Sequence, residues 1–338
     1  MAIPLDSIPR FGAAEALDLA RREYGIRGDI SALPSERDQN FLIRDELRGK
    51  VVLKFANRDD SPELLDFQHR AMRRVADGRV DCRVQQVVPS LSGAEIGSVE
   101  DAAGIRHCFR VLTWIDGAVL GDETARSPAL LESLGRCMAQ VDSALRGFTH
   151  PAMDRVLQWD LRHADLAFDK VGMVPKQWRR CAESAFLEWQ TIDWRLLRAG
   201  VIHGDANDHN VLVQRDRVCG LLDFGDMVHS AVVCDLAVAL AYAVLHQPDP
   251  LAAAAHVIRG YHRESPLDEP EQHALVPLMR TRLAVSLCYS AHNRARNPDD
   301  VYQVITESAA RKLVERLGQY PPDAAVAVVR KACDRGNL

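Results

Sequence analysis

The sequence lacks the features that mark several large classes of protein. Its eight cysteines, at 82, 108, 137, 181, 219, 234, 288 and 333, include no CxxC pair and no repeated spacing. That excludes a disulfide framework or a common zinc-ligand pattern, and leaves reduced core thiols. Positive charge is not in excess: the formal net charge is −5, whereas neutralising a nucleic-acid backbone takes a surplus of Lys and Arg or a visible basic stripe. Arg73 and Arg74 alone read as a solvated helix face. No apolar run is long enough for a membrane. The longest, Ala231 to Leu245, is interrupted by Asp235 and falls short of the roughly 20 residues that a spanning helix needs. The opening Met1-Ala2-Ile3-Pro4-Leu5-Asp6 has neither a basic n-region nor an apolar h-region, so no secretory signal is expected. No internal repeat and no low-complexity segment is visible. A soluble, cytoplasmic protein that binds neither nucleic acid nor membrane is the expectation.

With 338 residues, 47% hydrophobic and 26% charged, the chain is long enough for a sizeable core and has ordinary globular composition. Two lobes are expected. Residues 11 to 24 carry apolar positions at helical spacing and end at Gly25, a residue suited to the left-handed helix end. Strand-like runs follow at 30–33, 40–44 and 51–55, the last two joined through Arg48-Gly49-Lys50. Ser61-Pro62 supplies a helix start and Gly78 an end. Strands are expected again at 84–88, 95–99 and 105–113, with a turn at Asp101-Ala102-Ala103-Gly104. The first lobe is therefore 1–113, an antiparallel sheet with one main helix, and Trp114-Ile115-Asp116-Gly117 is a hinge. From Ser127-Pro128 onward long helical periods recur, at 175–198, 230–247, 271–296 and 300–318. Short apolar pieces at 211–213 and 218–222 interrupt them, so 118–338 is a mostly helical second lobe and the fold class is α+β.

Those two apolar pieces flank the residues that carry chemistry. In His203-Gly204-Asp205-Ala206-Asn207-Asp208-His209-Asn210 an Asp and an Asn stand five positions apart in a polar loop, and eighteen residues after Asp205 comes Leu221-Leu222-Asp223-Phe224-Gly225. Phosphoryl transfer asks for this set: a carboxylate to accept the acceptor hydroxyl's proton, and oxygen ligands to hold Mg²⁺ on the phosphates. Asp205 suits the first task, Asn210 and Asp223 the second. His-Gly-Asp-x-x-x-x-Asn arises by chance on the order of once per thousand chains of this length, before Asp-Phe-Gly is also required. A competing reading has His203, His209 and Asp223 ligating a metal in a hydrolase, although neither histidine has the helical i,i+4 spacing usual there.

These segments resemble the aminoglycoside phosphotransferase and choline kinase superfamily, small-molecule relatives of protein kinases, in which Gly replaces the Arg of the protein-kinase loop. The resemblance implies a protein-kinase-like fold with a sheet lobe, a hinge and a helical lobe, and Asp235-Leu236-Ala237 resembles a downstream element that supports the active-site loops. Val51-Val52-Leu53-Lys54-Phe55 resembles the strand that presents a phosphate-binding lysine. The helix glutamate expected to pair with Lys54 is missing; Gln68 stands at its spacing, where it can orient Lys54 beside the nucleotide phosphates but cannot neutralise it. The nucleotide loop, Pro34-Ser35-Glu36-Arg37-Asp38-Gln39-Asn40-Phe41, has no glycine. Ser35, Asn40 and, at the end of its strand, Thr113 are the further nucleotide contacts expected.

Residues 35–41, the Gln68 helix and Ala291-His292-Asn293-Arg294-Ala295-Arg296-Asn297-Pro298 are similar to the hydroxylysine kinase branch. This implies a small hydroxylated amine or amino acid as acceptor and either ATP or GTP as donor. Among acceptor-facing candidates are the carboxylates Asp208, Asp226, Glu188 and Asp193, and the carboxylate-binding Arg282 or Arg294. An aminoglycoside or choline/ethanolamine phosphotransferase is the alternative within the superfamily, and the missing glycines together with Gln68 also suit a catalytically weak nucleotide-binding pseudokinase.

Overall fold

In the computed structural model, which describes residues 8–35, 37–296 and 307–334, the hairpin around Arg48-Gly49-Lys50 forms for a local reason. The Asp45 carboxylate accepts from the backbone N–H groups of Leu47 and Arg48, at 3.1 and 2.7 Å, and Gly49 takes the left-handed conformation, φ 77°, that the turn requires. The opening Met1–Asp6 segment, Glu36, Asn297-Pro298 and the first part of the helix expected over 300–318 lie outside the described residues. The chain divides into two units, one made of Met1–Arg73 and Val84–Asp116, the other of Arg74–Arg83 and Gly117–Leu338.

The first unit is an antiparallel sheet with strands β1 (Gly28–Leu33), β2 (Gln39–Asp45) and β3 (Gly49–Phe55) in order. Arg106–Thr113 continues it beside β3, and Val87–Val88 and Gly97–Glu100 pair with different halves of that strand. Helix α1 (Ala13–Tyr24) covers one face through Ala16, Leu19, Ala20 and Tyr24. There the rings of Phe11 and Phe55 stack at 4.1 Å, with Phe41 and Phe109 closing the cluster. The register sets Lys54 opposite Asn40 on one side and Arg110 on the other. Helix α2 (Pro62–Asp77) begins where Ser61 Oγ accepts from Leu64 N at 3.2 Å. The single strand expected at 84–88 is broken, because Gln85 and Gln86 direct hydrogen bonds at Thr113 instead of continuing the ladder.

The second unit is mostly helical: α3 (Pro128–Leu145), α4 (Lys176–Gln190), α5 (Val233–Ala243), α6 (Pro250–Glu264), α7 (Glu269–Arg296), α8 (Glu307–Leu317) and α9 (Pro322–Cys333). The helix expected over 175–198 stops early, since the Thr191 hydroxyl donates to Glu188 O and Asp193 caps a new short turn at Trp194–Leu196. The period expected at 230–247 divides into a strand, Val228–Ala231, and α5. That strand pairs with Ala199–Ile202, and the hairpin Val211–Gln214/Arg217–Leu221 forms from the two expected apolar pieces. Every residue of α5 is buried, which explains its continuous apolar run; no described helix is long and apolar enough to cross a membrane.

Helices α3 and α6 meet through glycine. A Cβ at Gly135 would lie 1.9 Å from Val257 O, and one at Gly260 would lie 2.1 Å from Glu132 O. This contact brings Asp142 of α3 to Tyr261 of α6, whose hydroxyl donates to Asp142 Oδ2 at 2.5 Å. Gly135→Ala should therefore destabilise the protein by about 3 kcal/mol, the upper part of the overpacking range. Thermal unfolding measures the effect, and a melting temperature equal to wild type would show that the helices separate without cost.

Candidate functional site

The loop after strand Ala199–Ile202 is held from below by one carboxylate. Asp235, fully buried in the first turn of α5, accepts from the N–H groups of His203 and Gly204, both at 2.8 Å. Gly204 has φ 81°, and a Cβ there would lie 2.5 Å from Asp226 O, so glycine is needed for both conformation and space. His203 Nε2 donates to Leu222 O at 3.0 Å, and Asp205 N–H donates to His203 Nδ1 at 3.3 Å. These partners define a neutral imidazole with both ring nitrogens engaged. His203 also meets the Phe224 ring edge-on at 4.8 Å, and Leu222 N donates to Asn210 O at 2.8 Å. The Asp205 loop and the Asp223 loop are thus stitched together.

Asp205 is received by three donors. Oδ1 accepts from Arg282 Nη2, and Oδ2 from Asn207 Nδ2 and Asn210 Nδ2, each at 2.8 Å. Burial pushes the Asp205 carboxyl up to about 8; Arg282 pulls it down, Asp226 and Asp223 add to the rise, and the Asn207 hydrogen bond opposes it. Asn207 Oδ1 accepts from His209 N and Asn210 N, fixing the turn. Asn210 Nδ2 also donates to Asp205 O at 2.9 Å, which turns its Oδ1 away from Asp205. Asp223 is exposed at the tip of its loop, with φ 57° and Oδ1 accepting from Gly225 N. Arg155 braces the same loop through Met227 O, at 3.0 Å, and Gly225 O.

An amide oxygen and a carboxylate fit a hard divalent cation that takes its remaining ligands from phosphate and water. Among the described residues, no three His, Cys, Asp or Glu side chains converge on a common metal position. The hydrolase alternative also loses its ligand, because His203 has no ring nitrogen left for a metal.

In the first unit, Lys54 is buried in β3 and its Nζ lies 3.5 Å from Asp38 Oδ2. The expectation that Gln68 orients Lys54 is corrected: Gln68 Oε1 accepts from Arg110 Nη2 at 2.6 Å, so the amide serves the neighbouring strand's guanidinium. Asn40 Oδ1, on the residue opposite Lys54, is buried and accepts no hydrogen bond. Ser35 is exposed. Thr113 Oγ1 accepts from Gln86 N at 2.9 Å.

The acceptor candidates separate. Asp226, half-buried, raises the Asp205 carboxyl by its charge and belongs to the cluster. Asp208 does not: it is 4% exposed, its carboxylate lies 3.9 Å from Arg126, and its carbonyl accepts from Gly121 N. Glu188 pairs with Arg280 and Asp193 with Arg195. Arg282 is likewise corrected, since it holds Asp205 rather than awaiting a substrate carboxylate. Arg294 is exposed near the C-terminal end of α7. Sequence reasoning passed over Asn207 and Asp38, although both stand in the motif segments, and it misassigned Arg282, whose signal was a charge inside an apolar helix.

The chain matches the model of the phosphotransferase enzyme family over residues 29–276. It belongs to that family. Hydroxylysine kinase of Danio rerio is 27% identical, over 94% of this chain and 94% of its own. Among solved structures, an amicoumacin kinase in complex with AMP-PNP, Ca²⁺ and Ami has TM-score 0.69 at 15% identity, covering 93% of this chain and 97% of that one. A microcompartment-associated aminopropanol kinase has TM-score 0.69 at 19% identity, covering 88% and 95%. The fold of these family members is the expected α+β, protein-kinase-like one, and the chain is a small-molecule phosphotransferase acting on a hydroxyl group.

Gly204→Ala should keep the protein folded but lower kcat by about 10² or more, since the neighbouring Asp205 carboxylate would be displaced by the clash with Asp226 O. Steady-state kinetics beside a melting curve measures this, and unchanged kcat would show that the loop tolerates a side chain.

Proposed function

We propose that this family member is a Mg²⁺-dependent kinase that transfers the γ-phosphate of ATP or GTP to the hydroxyl of a small amino alcohol or hydroxy amino acid, with 5-hydroxylysine the first choice. The observation that carries the reading is the Asp205 carboxylate, oriented by Arg282, Asn207 and Asn210 in a loop stitched to that of Asp223. Asp205 acts as general base: it takes the acceptor hydroxyl's proton as the oxygen bonds to the γ-phosphorus and the bridging oxygen leaves with the nucleoside diphosphate. Asn210 Oδ1 and the Asp223 carboxylate would hold the cation, which would supply positive charge to the phosphate oxygens.

Lys54 directs the phosphates, and Asn40, Ser35 and Thr113 supply donors and acceptors around the nucleotide. Gln68 acts one step away, through Arg110. Support for the acceptor class comes from the charges of Asp226 and Asp223, which lie near enough to raise the Asp205 carboxyl and which favour a protonated amine near the reacting hydroxyl. The end-to-end similarity to hydroxylysine kinase supports the same choice, and Arg294 is retained as a candidate for an acceptor carboxylate.

Asp205→Asn should lower kcat by roughly 10² to 10⁴ with little change in nucleotide KM, because Asn is nearly isosteric but cannot accept the proton. Near-normal kcat would make Asp205 structural. Asp223→Ala should abolish metal-dependent turnover without lowering the melting temperature, as expected of a ligand at a loop tip; wild-type activity would remove Asp223 from the metal site. Comparing kcat/KM for hydroxylysine, ethanolamine, choline, homoserine and kanamycin, each with ATP and GTP, tests the acceptor. Hydroxylysine should lead, and a lead for kanamycin would overturn the acceptor class while leaving the kinase.

A further inference from the structure

Arg282 is a buried guanidinium, 3% exposed, in the middle of α7. Its central carbon lies over the Trp159 ring at 4.7 Å and over the Tyr242 ring at 5.5 Å. Beyond Trp159 lies the ring of Tyr289, tilted against it with centroids 5.1 Å apart. Each nitrogen has a partner: Nε donates to Tyr242 Oη at 3.3 Å, Nη1 to Trp159 O at 3.3 Å, and Nη2 to Asp205 Oδ1 at 2.8 Å. The fork is therefore fixed in plane by hydrogen bonds and in depth by two aromatic faces.

A carboxylate offers about four lone-pair sites on its two oxygens. Asn207 and Asn210 occupy those of Asp205 Oδ2, and Arg282 occupies one on Oδ1. One site on Oδ1 remains, beside the one that the guanidinium takes.

We propose that Arg282 is a positioning residue: clamped between Trp159 and Tyr242, it holds the Asp205 carboxylate so that the remaining lone pair of Oδ1 receives the acceptor hydroxyl. The proposal rests on Asp205 being the general base. Lysine at 282 keeps a buried cation but loses the planar fork, so it removes the orientation while retaining the charge.

The test measures kcat and nucleotide KM for Arg282→Lys, Arg282→Ala, Asp205→Asn and the Asp205→Asn combinations, using whichever acceptor in the panel above has the highest kcat/KM. Arg282→Lys should lose about tenfold or more in kcat, with nucleotide KM within about twofold of wild type. Arg282→Ala should lose more and recover part of its kcat when guanidinium is added at low millimolar concentration, whereas Asp205→Asn/Arg282→Ala should not recover. Asp205→Asn/Arg282→Lys should be no more than about twofold slower than Asp205→Asn, because residues acting through one group are non-additive. Wild-type kcat in Arg282→Lys, or losses that multiply in the double variant, would overturn the proposal. If Arg282→Ala does not fold, the Lys variant and its double still decide. A wild-type kcat in Asp205→Asn would instead remove the general base, an outcome separate from any loss on changing Arg282.

Discussion

Two backbone N–H groups, those of His203 and Gly204, end on the single buried carboxylate of Asp235, and the placement of the Asp205 loop depends on that pair of bonds. A carboxylate taken out of water is costly unless donors satisfy it, and here they come from the loop that carries Asp205. The loop satisfies the helix and the helix fixes the loop. Losing the acceptor would leave two buried donors unpaired, at about 1–3 kcal/mol each.

Behind Asp235 lies Asp142. Burial pushes the Asp142 carboxyl well above its usual range, and the neighbouring Asp235 acts in the same direction, against the Tyr261 hydrogen bond. Asp142 and its Tyr261 partner stand on α3 and α6, the two helices that approach closely at Gly135 and Gly260.

In front of Asp235 the geometry passes through His203 to Leu222, and on to Asp223, a non-glycine residue at φ 57°. Such a conformation costs about 1–2 kcal/mol relative to the ordinary regions, and strain of this kind concentrates where a side chain must be aimed. Arg155 and Gly225 N hold the strained turn. The two loops are thus braced from opposite ends, one by a buried acid and the other by an arginine.

Much of this was legible in the sequence, because the information was local. Alternation and turn residues located β1 to β3, helical periods located α1, α3 and α7, and the His-Gly-Asp-x-x-x-x-Asn and Asp-Phe-Gly spacings located Asp205, Asn210 and Asp223. The five-residue interval spans one turn of polar loop, in which the Asn210 amide returns to Asp205. Short strands such as Ala199–Ile202 escaped notice because four buried residues carry no usable period. Other assignments rested on partners distant in the chain. Gln68 meets an arginine 42 positions away, Asp208 turns inward to Arg126, and Arg282 reaches Asp205 across 77 positions. A charged side chain takes its role from the opposite charge or hydrogen-bond partner that packing places within about 3 Å, and only the tertiary structure supplies that neighbour.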